Sequence, residues 1–483
     1  MKKTTLFLLF FFSLQVLNAQ ETFEKTFGNP GIFQAVGKSS LQSVDGGYII
    51  TGSITNYNSL SDIYIIKTDA KGDTLWTRAY GSENCDVGNS IIKTTDGGYI
   101  IAATASTYQC GVNAAYLLKL NSEGDSLWSN SYVPNVPNSE ATASSVKQTN
   151  DGGYIFVGNT SLYGKNIFIV KTDESGNTLW TKNYWGQYPQ SIEQTNDGSY
   201  ILTGKNYTQG TSTDVLLMKI SSSGDSLWAR TYDIYQDNDE GHSVIQTSSG
   251  NFLIAGTSWI GYGNSDICLI KTNSVGDTIW TKRIGGDKLE MGKAIKETSD
   301  GNFIIVGSTQ SFGNSFEDVY LIKIDTNGDT LWTKTFGFGE STIAVGSSVN
   351  QTSDGGYIIG GELAMLGSNF AYLIKTNADG IVTSLLYSSK IPETFSLYQN
   401  YPNPFNPSTT IKYSLPAGRQ AFQNVTLRVY DILGKEVATL VNETQQPGNY
   451  EIKFNAGDLP SGIYLYKINI GNHIATRKMM LLK

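Results

Sequence analysis

The densest set of chemically competent side chains in this 483-residue chain is a short acidic run: Asp233, Asp237, Asp239 and Glu240, ahead of Gly241 and His242. Carboxylate oxygens this close together suit a hard cation, which makes Asp237, Asp239 and Glu240 a candidate calcium site. The full spacing of a calcium loop is absent, so a solvated loop is the alternative, and no other cofactor is expected. Histidine occurs only at 242 and 473, in different expected domains, and no Ser-His-Asp or Cys-His arrangement is in prospect. Three cysteines are too few for a disulfide scaffold or a cysteine-rich zinc site. In an oxidising compartment Cys85 and Cys110, both in variable loops, are expected to pair, leaving Cys268 as a buried thiol within a strand.

Most other candidate groups recur at fixed intervals, and the repeat accounts for them. A core close to DGGYIIxG followed by YxIKTDxxGDTLW returns with tryptophans at 76, 128, 180, 228, 280 and 332, spaced 52, 52, 48, 52 and 52 residues apart. A seventh copy begins at Asp354 and loses the tryptophan. Units of this length stack because none can bury its apolar face alone. Within the second copy, Ser90–Thr94 and Tyr99–Ala102 read as strands around the tight-turn signal Asp96-Gly97-Gly98. Tyr116–Leu120 and Leu127–Tyr132 read as strands around Asn121–Asp125. Two hairpins give four strands per copy, the content of a β-propeller blade. The expected fold is all-β: a seven-bladed β-propeller over residues 21–388, a linker at 389–394, and a small Ig-like β-sandwich over 395–483. Glu21–Gly28 aligns with Thr74–Gly81, which makes Thr22–Gly28 a fourth strand lacking its blade. It is expected to close the ring against Tyr372–Thr376, the alternative being completion by Ile381–Tyr387.

Seven lysines recur at one position, from Lys67 to Lys375, with Asp62, Asp214, Asp266 and Asp318 five residues earlier in four copies. They read as solvated ion pairs, each of small energy, rather than as catalytic bases. The aspartates at 45, 96, 151, 197, 300 and 354 all belong to the same turn, and the repeat region holds only three arginines, 78, 230 and 283. Carboxylate chemistry on a glycosidic bond would need two acids converging at one non-repeated place.

The turns inside the hairpins barely change between copies, whereas the second-to-third and inter-blade loops differ in length and content. Variation marks the face free to specialise. That face carries Trp185, Tyr188, Tyr235, Trp259 and Tyr262 amid short polar residues, a composition suited to stacking on sugar rings or anchoring a protein. Tyrosines that merely cap blade ends would look the same. The leading expectation is a non-catalytic adhesin or a glycan- or protein-binding module. A polysaccharide-degrading propeller and a scaffold for surface proteins are the alternatives.

Residues 1–19 have a charged start at Lys2-Lys3, an apolar run from Leu6 to Leu17 and a small-residue end at Ala19, the pattern of an export signal. No later stretch approaches the ~18 apolar residues of a membrane span. The repeats carry 24 basic against 37 acidic residues, a field that repels nucleic acid. The turn Thr68–Trp76 resembles both the Asp-box of sialidase-like propellers and the tryptophan-docking motif of quinoprotein propellers. It fits neither spacing fully, and the resemblance implies only that this segment holds blades together.

From Phe395 the pattern changes. FSLYQNYPNPFNPSTTI (395–411), LRVYDILGKEV (427–437), GNY (448–450), LPSGIYLYK (459–467) and the basic Arg477-Lys478 closely resemble the type A C-terminal sorting domain of the type IX secretion system. The resemblance implies passage through the periplasm, engagement of the type IX machinery by residues 395–483, and release or attachment at the outer cell surface.

Overall fold

The computed structural model describes residues 20–482 apart from 29–32, 57–59, 83, 107–112, 135–138, 162–165, 186, 208–211, 235–236, 366, 383–393, 417–422, 446–447, 458 and 471–472. The proposed export signal therefore lies outside the described residues, as do Cys110, Tyr235 and most of the linker. The described residues form strands and no helix, so none of them forms a helix able to cross a membrane.

Among the described residues, the strands before residue 377 make seven four-stranded antiparallel sheets. Six are built from consecutive strands, beginning with Phe33–Gln42, Tyr48–Asn56, Ser61–Thr68 and Thr74–Tyr80. The seventh combines Ile343–Gln351, Tyr357–Met365 and Ser368–Thr376 with Phe23–Phe27 from the start of the chain, Phe23 lying opposite Lys375 and Phe27 opposite Ala371. The second and third strands of each sheet are apolar on both faces because each sheet is sandwiched between its neighbours. One apolar cluster spans the fourth and fifth sheets through Val215, Leu217, Val244, Phe252 and Ile270. Another joins the last sheet to the first through Leu373, Ile358, Tyr48 and Ile50. The sheets thus close into a ring, a β-propeller.

Three repeated contacts bind blade to blade. Each of the six repeated tryptophans lies over a left-handed glycine in the turn after the third strand of the next blade: a Cβ at Gly124 would come within 2.4 Å of Trp76, and one at Gly328 within 2.8 Å of Trp280. Only glycine combines that backbone conformation with so close an approach. Second, the glutamine ending an inner strand accepts a backbone N–H from the preceding blade's turn, as in Thr95 N–H to Gln148 Oε1 (2.8 Å) and, across the closure, Ser353 N–H to Gln42 Oε1 (2.8 Å). Third, the innermost strand is a sheet edge whose outward N–H groups need acceptors. The serine hydroxyls of the neighbouring blade supply them: Ser39 Oγ for Ile91 N–H, Ser243 Oγ for Ile295 N–H and Ser348 Oγ for Ser40 N–H.

The repeated lysines are not solvated and do not pair with the strand aspartates. Six of them have side chains only 1–12% exposed and bond the turn aspartate, as in Lys67–Asp45 (2.6 Å) and Lys119–Asp96 (2.8 Å). The reason is elementary: residues five apart on a strand point to opposite faces, so Asp62 is turned away from Lys67. In the fifth copy Ser249 replaces the aspartate, and Lys271 donates instead to the Thr326 carbonyl (2.8 Å).

Residues 396–481 form a separate β-sandwich. Ser396–Leu397, Ser408–Leu415 and Gly448–Asn455 make one sheet, and Glu436–Gln445, Gln423–Tyr430, Gly462–Ile470 and His473–Leu481 the other. Ile411, Tyr413, Leu427, Tyr466 and Met479 are fully buried between them.

Candidate functional site

The acidic run does not converge on a cation. Asp237 uses both carboxylate oxygens on backbone, accepting from Asn238 N–H and from Gly261 N–H, each at 2.9 Å. Asp239 is fully buried, accepts from Ile234 N–H (2.7 Å), and has its carboxyl raised, first by burial. The same position holds Asp86, which accepts from Ser82 N–H (2.7 Å), and Glu290, which accepts from Gly286 N–H (2.7 Å). Asp239 is therefore one of a repeated set of carboxylates that tie down the inter-blade loops. Glu240 points elsewhere, to an ion pair with Lys205. Among the described residues no three His, Cys, Asp or Glu side chains group closely enough to hold a metal ion.

The aromatic candidates separate too. Trp259 ends a strand opposite Ser265, half-buried, with its backbone N–H on the Asn238 carbonyl (3.0 Å). Tyr262 is fully exposed in the loop that follows. Asp237 holds that loop through Gly261, so Trp259, Tyr262 and Asp237 form one rim of the fifth blade. Trp185 ends a strand opposite Asn166, and its side chain, like Tyr235, lies outside the described residues. Tyr188 belongs to an inner strand opposite Lys205, whose ammonium is 5.6 Å from the tyrosine ring centre. Lys205 thereby joins Tyr188 to Glu240. Cys85 is disulfide-bonded and Cys268 is a buried free thiol; Cys110, the expected partner, lies outside the described residues.

The feature that sequence reasoning missed is the channel on the propeller axis, a cavity of about 720 Å³ lined by the inner strands. Every inner strand carries one extra residue against its neighbour, as where the register slips between Gly37 and Ser39 or between Gly292 and Ala294. The third blade shows the same slip between Ala141 and Ser145. A bulged residue leaves the ladder and is re-aimed, here into the channel. Those residues are Lys38, His242 and Lys293 on one arc, Asn89, Ser144 and Gln190 on the other, with Ser347 between Lys293 and Lys38. Next along each strand comes a serine, or Ala294 in the sixth blade.

Three positions beyond the bulge, the lining changes again. Leu41 and Ile92 make an apolar arc, and Lys147, Glu193, Lys296 and Asn350 a polar one. Lys147 Nζ is 2.5 Å from Glu193 Oε1, and Lys296 Nζ reaches the same oxygen from across the channel at 3.7 Å. Burial alone would raise Glu193, but these two lysines outweigh it and hold the carboxyl below its usual range. Lys296 is brought down to about 8, first by the charge of Lys147 and then by burial, against the attraction of Glu193. Burial, with Lys293 and Lys205 nearby, pushes His242 well down, so it is neutral at pH 7. A signal for this ring was present in the sequence. In five copies an inner-strand glycine is followed by a residue that varies, lysine at two positions and asparagine, histidine or serine at the others, and then by serine or alanine: VGKSS, VGNSI, EGHSV, MGKAI, VGSSV.

Residues 399–482 match the secretion system C-terminal sorting domain. The tail is a sorting domain. A sorting domain of this kind marks the chain for the type IX system, and so for secretion and the outer cell surface. No curated protein matches the chain. Solved structures similar to it include a protein of unknown function from Dyadobacter fermentans, 9% identical with TM-score 0.42, covering 73% of this chain and 98% of that one. The propeller domain of the trilobed protease from Pyrococcus furiosus is 10% identical with TM-score 0.41, covering 74% and 98%. The periplasmic gluconolactonase of Pseudomonas aeruginosa is 7% identical with TM-score 0.43, covering 72% and 97%.

Proposed function

We propose that this chain is an exported propeller that binds a ligand without transforming it, holding it in the axial channel. The observation that carries the reading is where the non-repeated chemistry lies. The turn aspartates, the repeated lysines, and Asp237 and Asp239 are engaged in holding the ring together, whereas the bulge ring carries five residue types over its seven positions and faces an open cavity.

Two carboxylates, Glu193 and Glu240, line that cavity, which is the arrangement a glycosidase would need. Such an enzyme also needs one acid kept protonated at working pH. Glu193 is ion-paired to Lys147 and Lys296 and Glu240 to Lys205, so each carboxylate is already committed to a cationic partner. Binding is the better account, with a glycan or a surface protein as the ligand class and the Trp259–Tyr262 rim as a secondary contact.

The test is a screen of the full secreted chain against immobilised glycans and surface-protein extracts, with Lys293→Met and Tyr262→Ala in parallel. Binding lost in Lys293→Met and kept in Tyr262→Ala supports the channel. The opposite result moves the site to the rim. Any ligand cleavage seen by mass spectrometry overturns the non-catalytic reading.

A further inference from the structure

We infer that the axial channel recognises an acidic carbohydrate, with the sugar's oxyanion seated between Lys293 and Lys38 and its hydroxyls against the arc of Asn89, Ser144 and Gln190. This rests on the reading of the chain as a channel-binding protein and adds the chemical class of the ligand.

The first support is a mismatch of donors and acceptors. Five lysines and two glutamates line the channel. Glu193 and Glu240 already have lysine partners, whereas Lys38, Lys293 and His242 make no hydrogen bond or ion pair among the described residues. Ser39 and Ser243 each spend an oxygen lone pair on the next blade's backbone N–H, which leaves their hydroxyl hydrogens to donate into the channel. A wall with surplus donors is completed by an acceptor-rich, negatively charged ligand.

The second support is the contrast with the rest of the molecule. The repeats hold 13 more acidic than basic residues, 37 against 24, yet the channel lining is cationic. Clustered like charges are costly in a partly buried place: Lys293 is pushed down first by burial and also by Lys38, against the attraction of Glu240, Glu317 and Glu362. An anion between the two would remove that cost.

The third support is shape. The two unpaired ammonium groups are separated along the ring by a single blade bearing Ser347, a small hydroxyl that leaves room between them. Opposite lie Ser144, Gln190 and the carbonyl oxygen of Asn89, whose amide N–H groups are spent on the Ala143 carbonyl (2.8 Å) and the Thr104 hydroxyl (3.2 Å); such groups fix sugar hydroxyls. Lysines are point charges rather than planar forks, so they fit a carboxylate or a sulfate ester equally. A volume of about 720 Å³ falls among sites for small molecules, about 300–1,000 Å³, and admits a short oligosaccharide end.

Isothermal titration of the full chain decides the matter. The probes are a uronic-acid disaccharide, a sulfated disaccharide, a neutral disaccharide of the same size, and inorganic sulfate. The expected result is binding of one or both acidic sugars about tenfold or more tighter than the neutral one, weakened about tenfold or more by Lys38→Met and by Lys293→Met. The preferred acidic sugar tells carboxylate from sulfate ester. Thermal melting of both variants should match or exceed wild type, since each removes an unpaired charge.

Acidic and neutral sugars binding alike, with that binding abolished by Gln190→Ala, would overturn the charge inference while leaving the channel reading intact. Binding of acidic sugars unaffected by either lysine variant would overturn both. Inorganic sulfate binding as tightly as the sulfated sugar would reduce the site to one for simple anions and overturn the carbohydrate assignment.

Discussion

Phe23 lies over Gly72 as each tryptophan lies over the glycine of its neighbouring blade: a Cβ at Gly72 would come within 2.6 Å of the phenylalanine ring. The residue is 8% exposed, in edge contact with Tyr48 at 5.6 Å between ring centres, and sits on the strand that completes the last sheet. Phe23→Ala is expected to cost about 3–5 kcal/mol, and Phe23→Trp to be tolerated because six sister positions hold tryptophan. Removing 22–28 should lower the melting temperature further. Equilibrium unfolding and thermal melting check all three, and an unchanged melting temperature for the deletion would refute closure by this strand.

Acid should open the ring through the turn aspartates. Partial burial alone would raise Asp96, but bonds from Lys119, Thr94 and Gly98 outweigh it and hold it at about 2. In Asp197 the bond from Lys219 is the largest influence and also lowers it. A carboxyl lowered by folding contributes stability that is complete above its ordinary value near 4 and lost as pH falls through the folded value. Melting temperature is therefore expected to decline between pH 4 and 2. Asp96→Asn, which leaves a buried lysine without its charge partner, should cost about 1–3 kcal/mol at pH 7 and show a shallower acid slope.

Lys296 predicts the opposite end of the scale. It faces Lys147 and Glu193, with Lys38, Lys93, Lys293, Glu240 and His242 also lining the channel. Its folded value of about 8 lies below the ~10.4 of a free lysine. The unfolded chain thus binds the proton more tightly between those values, and this residue's contribution to stability rises with pH there. Lys296→Met should flatten that rise in pH-dependent unfolding. Affinity for an acidic ligand should fall above pH 8 as the charge is lost, and titration across pH 6–9 reads it directly.

Cys268 is fully buried and its thiol is pushed far up by burial, with Asp239 adding to the effect. A thiol reagent should leave it untouched in the native protein and label it on unfolding without reductant. Reductant should then expose further thiol from the Cys85 disulfide. Rapid native labelling would contradict the packing.

The repeat, the four-strand copies, the closing strand and the sorting domain were legible in the residues because each is written locally. Strand alternation has a period of two, a tight turn needs glycine within a few positions, and an address is a linear motif. The partners of the repeated lysines were misread for want of that same alternation: Asp62 and Lys67, five apart, face opposite sides of one strand, while Asp45 waits at the turn beside it. The acidic run looked like one site because its members are close in sequence, yet backbone N–H groups claim Asp237 and Asp239 and the channel claims Glu240. Only the closed ring decided where a site stands. Lys38, His242 and Lys293 are more than fifty residues apart along the chain, and a single bulge in each inner strand turns them to a common axis. No window of sequence contains that axis, because it exists only where seven blades meet.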